Sequence, residues 1–91
     1  MTSPLEAIVK HDGRLDMLSC LLDGEPLAVP QLSAETGLSM TAIRHHVKLL
    51  DAFDLVEKAG ELGGEPRYAA TLDDHPDWVR EAVAEHRLTG K

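Results

Sequence analysis

The apolar positions of this chain recur at two different periods, and the switch between them lays out its elements. From Gln31 to Leu50 (QLSAETGLSMTAIRHHVKLL) the apolar residues are Leu32, Leu38, Ile43, Val47 and Leu50. Ile43, Val47 and Leu50 follow one another at four and three residues, the spacing of one helix face. Gly37 interrupts the stretch, and glycine ends a helix in the left-handed conformation without a Cβ clash. Ser39 stands where a hydroxyl caps the next helix. The spacing predicts two helices joined by a tight turn, the second over 39–51. Ser33 is small enough for the two to cross closely. With its apolar stripe inward, the second helix turns Met40, Thr41, Arg44, His45 and Lys48 outward. A helix-turn-helix of this kind commonly lays its second helix in the DNA major groove.

The flanks carry helical patterns before this stretch and a strand pattern after it. Ser3, Pro4 and Glu6 read as a helix start over 3–10, with Leu5, Ile8 and Val9 on a face too narrow for its own core. Asp12 suits the cap of a helix over 13–22, where Leu15, Leu18 and Leu22 form a stripe beside Met17 and Leu21. Asp23-Gly24 closes it. Leu27-Ala28-Val29 reads as extended, because the residue before Pro30 avoids the helical region. Pro30 then opens the first helix of the motif. Beyond it, Leu55 to Lys58 and Arg67 to Thr71 read as two strands about a turn cluster, Glu61 to Pro66, with a flexible tip. Pro76 begins a final helix over 76–88. Its apolar stripe of Trp78, Val79, Ala82 and Val83 has nothing left in the chain to cover it. Together with Leu5, Ile8 and Val9 it is expected to form the interface of a homodimer.

Composition narrows the class. Ninety-one residues make one domain, 1–91, with its core over 12–72. No apolar run approaches the roughly 20 residues of a membrane span, and the start lacks the pattern of a signal peptide. The single cysteine, Cys20, excludes an internal disulfide and fits a cytoplasmic protein. Its neighbours Leu18, Leu21 and Leu22 mark it as a small buried residue. No nucleophile elbow or phosphate-cradling glycine loop is present, so an enzyme is not expected. The formal net charge of −7 runs against a nucleic-acid binder, which usually carries a basic patch. From Pro30 to Ala52, Arg44 and Lys48 balance Glu35 and Asp51. From Phe53 to Thr71, Lys58 and Arg67 stand against Asp54, Glu57, Glu61 and Glu65. The rival to a DNA-binding regulator is therefore a winged-helix protein-interaction module that has given up DNA.

From about Asp12 to Leu72 the order of residues resembles winged helix-turn-helix regulators of the arsenic-repressor (ArsR) type. HDGRLDMLSCLLDG, LAVPQLSAETGLSMTAIRHHVKLL and LVEKAGELGGEPRYAATL carry the likeness, and GLSMTAIRHHVKLL is its most specific part. The resemblance implies a mainly α (α+β) winged helix-turn-helix of about five helices with a small antiparallel hairpin wing, 27–29 adding a third strand. It implies a dimeric repressor on double-stranded DNA. The DNA-facing set is then Ser39, Met40, Thr41, Arg44, His45 and Lys48 on the recognition helix, with Lys58 and Arg67 on the wing. Arg44 would read a base edge and Lys48 a phosphate. Asp54 stands where such regulators usually have glycine, and aspartate tolerates the left-handed turn. Asp51 stands where a basic residue is common.

Metal ligation is not expected, nor any cofactor. His45 and His46 are adjacent on a helix and point about 100° apart, so they do not share an ion. By the resemblance, His46 packs at the edge of the core. The family's Cys-x-Cys sensing element has no counterpart in QLSAETG. Its last-helix mode leaves only Asp73, His75 and His86 at matching spacing, with Thr89, a poor zinc ligand, in fourth place. The alternative is that Asp73 to His75 cap the helix.

Overall fold

The computed structural model describes residues 4–89. Five helices and three strands follow in order: α1 (Pro4–Val9), α2 (Asp12–Asp23), β1 (Leu27–Ala28), α3 (Val29–Thr36), α4 (Met40–Ala52), β2 (Val56–Leu62), β3 (Glu65–Ala70) and α5 (Asp77–Thr89). The strands form one antiparallel sheet in the order β1-β3-β2, so the expected winged helix-turn-helix is the observed fold. Ser3, read above as a cap, lies outside the described residues.

The helix-turn-helix forms by the local chemistry expected of it. Gly37 adopts φ 80° and its N–H donates to Ser33 O at 2.9 Å. The Ser33 hydroxyl donates to Leu38 O at 2.5 Å, which ties the end of α3 to the turn. Ser39 Oγ accepts from Ala42 N at 3.1 Å and caps α4. Gln31 Oε1 accepts from Ala28 N at 2.9 Å, so α3 starts at Val29, one residue before Pro30, and β1 is only two residues long. At the other end of α4, Asp54 takes the left-handed conformation with φ 59°. Its carbonyl accepts from the Thr71 hydroxyl and from His75 Nε2–H, both at 2.8 Å.

The core lies between α2, α3, α4 and α5, and Met17, Leu18, Leu32, Ile43, Leu50, Leu55, Val79 and Val83 are fully buried in it. This corrects the reading of an uncovered last helix. α5 packs along α2, so Val79 and Val83 are spent inside the chain, and Val9 of α1 is buried with them. The sequence shows an apolar stripe but not which neighbour receives it. Burying an aliphatic side chain of this size is worth roughly 1.5–3 kcal/mol, which is reason enough for the chain to close over its own helix. Leu5, Ile8, Trp78 and Ala82 pack against the core but stay only partly covered.

Three smaller expectations are also revised. His11, not Asp12, caps α2, its Nδ1 accepting from Gly13 N at 3.2 Å. Leu22, assigned to the buried stripe, is exposed, because the buried face of α2 runs through Met17, Leu18 and Leu21 and the next residue is turned about 100° away from Leu21. The hairpin is longer than its apolar pattern suggests. Its strands run to Leu62 and from Glu65, leaving Gly63-Gly64 as a two-residue turn, with a bulge between Lys58 and Glu61.

Candidate nucleic-acid interface

α4 is the most sharply two-faced of the helices. Ile43, His46, Val47 and Leu50 are buried, while Thr41, Arg44, His45 and Lys48 are exposed. The 3.6-residue period alone produces this division. The exposed side of α4 meets the base of the wing across a groove of about 650 Å³ lined by Arg44, His45, Val47, Lys48, Asp51, Glu57, Lys58 and Tyr68. Three fixed cations and a histidine thus face two carboxylates. The groove is formally +1 in a chain of −7, so the remaining residues carry −8. The acid excess lies elsewhere on the molecule, and the local field is what a ligand meets.

The structure sorts the predicted residues into three sets. Arg44, His45, Lys48 and Lys58 are brought together in the groove. Ser39, Met40 and Thr41 are exposed at the N-terminal end of α4, with the Ser39 hydroxyl engaged in the cap and Met40 showing 43% of its surface. Arg67 stands apart from both. It neighbours Tyr68 on β3 and so points to the other face of the sheet. Its guanidinium lies over Gly60, whose bare Cα at φ 99° leaves room for it: a Cβ there would come within 3.0 Å of Nη2. Arg67 Nε is buried there without a hydrogen-bond partner. Strand alternation and this bulge put Arg67 on the face of the sheet opposite Lys58 and Tyr68.

Tyr68 is the groove residue that sequence reasoning missed. It pairs in register with Lys58 on β2 and with Leu27 on β1, which places it on the helix-facing side of the sheet. The alternation shared by Val56, Lys58, Tyr68 and Ala70 was the available signal.

The three residues at metal-ligand spacing are not brought together. His75 donates to Asp54 O, Asp73 pairs with Arg80, and His86 Nε2 meets Asp16 Oδ1 of α2 at 2.6 Å. Among the described residues no three His, Cys, Asp or Glu side chains are grouped to hold an ion. His45 and His46 diverge as expected: the first is exposed in the groove, the second buried against α2. No helix among the described residues is long and apolar enough to cross a membrane.

Comparison with known proteins bears on the same elements. Residues 11–58, more than half of the chain, match the family model of the bacterial regulatory protein, arsR family. Among solved structures, HlyU from Vibrio cholerae N16961 is similar at 26% identity and a TM-score of 0.72, over 96% of this chain and 89% of that one. The transcriptional repressor BigR from Xylella fastidiosa shares the fold at 17% identity and a TM-score of 0.72, over 94% and 80%. So does the homodimeric winged helix-turn-helix DNA-binding domain Mb0332 from Mycobacterium bovis, at 24% identity and a TM-score of 0.66, over 93% and 79%. No curated protein matches the chain. A helix-turn-helix capped as its sequence requires, a wing beside it, and a family match that covers both of its helices lead to one conclusion: the chain belongs to the arsR family of bacterial regulatory proteins, and it is a DNA-binding regulator and not an enzyme.

Proposed function

We propose that the protein is a cytoplasmic transcriptional repressor that binds double-stranded DNA as a homodimer, with α4 in the major groove. The observation that carries this reading is the locally cationic groove between α4 and the wing in an otherwise acidic chain. Arg44 supplies a planar fork that matches two acceptors on a guanine edge. Lys48, Lys58 and His45 are placed for phosphates, and Tyr68 adds a hydroxyl donor beside Lys58. Met40 and Thr41, exposed at the leading end of α4, meet the neighbouring phosphate and a thymine methyl. The repressor role is supported by the repressor BigR sharing the fold, and the dimer by the homodimeric Mb0332 domain. Leu5, Ile8, Trp78 and Ala82 form the proposed contact between copies, since Val9, Val79 and Val83 are already buried. A two-fold dimer sets its recognition helices about 34 Å apart, one turn of DNA.

The test is binding to fragmented genomic DNA of the source organism, followed by sequencing and footprinting of the enriched fragments. A two-fold symmetric site protected on successive major grooves is the expected result. Arg44→Ala and Lys48→Ala variants that retain parental affinity for that site would overturn the reading in favour of a protein-interaction module. Sedimentation should show a dimer at tens of micromolar, and a monomer there would remove the homodimer from the proposal.

A further inference from the structure

The buried side of α4 carries a polar link that DNA reading does not use. His46 is 7% exposed, the one polar or charged residue among the described residues that is buried. Its Nδ1 accepts from Arg14 Nε of α2 at 3.3 Å, so the neutral ring carries its hydrogen on Nε2. The same guanidinium reaches the other way and donates through Nη1 to Ile8 O of α1 at 3.2 Å. One arginine thus spans three helices. The packing around it is close: a Cβ on Gly13 would meet His46 Nε2 at 3.1 Å and Leu38 Cδ1 at 3.3 Å. α1 is only six residues long, with Val9 as its single buried residue. The carbonyl bond from Arg14 therefore adds a polar tie to the packing of Val9, Leu5 and Ile8 that holds it.

The groups facing the His46 ring are of one sign when charged. Arg14 and His11 approach from α2 and its cap, the His11 ring centroid at 5.0 Å. His45 lies at 5.8 Å on α4 itself. From the end of α1, Lys10 is engaged with Glu6 at 3.0 Å. A proton on Nδ1 of His46 would remove the acceptor of the Arg14 bond and set a second cation against the guanidinium in a buried place.

We propose that Arg14 and His46 form an acid-released latch that fastens α1 to the recognition helix. At neutral pH the histidine holds Arg14, and Arg14 holds the Ile8 carbonyl. Acid takes the acceptor away, Arg14 turns out to water, and α1 loosens. Burial first, then the charges of Arg14, His11 and His45, hold the His46 pKa below its ordinary value. The folded protein therefore takes up this proton later than the unfolded chain does. The stability due to the latch is complete above the ordinary histidine value of about 6.5, and it is lost as pH falls from there through the lowered value.

The experiment uses the full chain, isotopically labelled and free of DNA, between pH 8 and 5. His46 ring nitrogen shifts report its protonation, and amide protection factors of Lys10 and His11 report α1. The His46 ring should titrate below the ordinary histidine range, and α1 protection should fall about fivefold as it does. His46→Asn keeps an acceptor at the place of Nδ1 without a titrating ring, and α1 protection should then stay level. Arg14→Gln should leave α1 poorly protected at every pH and raise the His46 titration. His11→Asn, which preserves the cap but removes one of the charges beside His46, should keep the coupled loss of α1 protection and move it to slightly higher pH. The proposal is overturned if His46 protonates with α1 protection unchanged, if His46→Asn loses protection with acid as the parent does, or if Arg14→Gln protects α1 as well as the parent. Should His46→Asn fail to fold, the parent and Arg14→Gln decide between the same outcomes. No readout contains DNA, so failure here leaves the DNA reading to its own test.

Discussion

The recognition helix and the wing border the same groove and are built on opposite terms. α4 spends four side chains, Ile43, His46, Val47 and Leu50, on anchoring itself in the core. The wing is anchored at its base by Val56 and is exposed or half-exposed along the rest of both strands. Charge divides the same way. Within α4, Arg44 and Lys48 outnumber Asp51. Across the wing, Glu57, Glu61 and Glu65 outnumber Lys58 and Arg67. A helix held rigidly and carrying cations is suited to place a side chain against a base edge. An acidic hairpin held at one end contributes position near its base and little grip at its tip. The difference teaches that net charge is a poor guide to this molecule, because −7 is distributed away from the one face where the sign matters.

Core substitution should separate the two regions most. Ile43→Ala removes a fully buried side chain and should cost about 2–5 kcal/mol of stability. Leu62→Ala, on the exposed wing, should stay within about 0.5 kcal/mol. Denaturant unfolding of both variants measures the gap, and equal losses would show that the wing is anchored as firmly as α4.

The next largest effect is on DNA affinity. Arg44→Ala should weaken binding to a selected site by about 1–3 kcal/mol and relax preference at one base in each half-site. Arg67→Ala, on the far face of the sheet, should change affinity less. Titration of both variants against the same duplex tests this, and a larger loss from Arg67→Ala would reverse the assignment of the two faces.

Gly60→Ala addresses the device that keeps Arg67 there. The substitution combines φ 99° with a Cβ at 3.0 Å from the Arg67 guanidinium. It should cost about 1–3 kcal/mol of stability from backbone strain, with most of the disturbance confined to the wing. Amide shifts that change in α4 as much as in β2 and β3 would contradict that separation.

The smallest effect concerns phosphates. A dimer using Lys48, Lys58 and His45 neutralises roughly 4–6 phosphates, so log affinity should fall against log salt with a slope of about −4 to −5. Lys48→Ala should flatten the slope by about one unit per subunit and weaken all sequences alike. A slope unchanged in this variant would take Lys48 out of the phosphate contacts.

What was legible in the sequence follows from local physics. The turn at Gly37, the Ser39 cap, the left-handed Asp54 and the two faces of α4 each depend on residues within one or two turns of one another. Periodicity and single-residue preferences therefore sufficed to place Arg44, His45 and Lys48 outward. The decisions left to the tertiary structure were mostly about partners distant in the chain. The stripe of α5 could equally have faced a second copy, and only packing against α2 showed Val79 and Val83 to be core. Asp73, His75 and His86 kept a ligand-like spacing in sequence, but Arg80, the Asp54 carbonyl and Asp16 each claimed one of them. Arg67 and Tyr68 were separated by the pleat and the bulge, and Arg14 found His46 across 32 residues of chain. A sequence states which faces are apolar and which side chains donate or accept. Only the closed chain, by bringing those faces together, settles which of them meet.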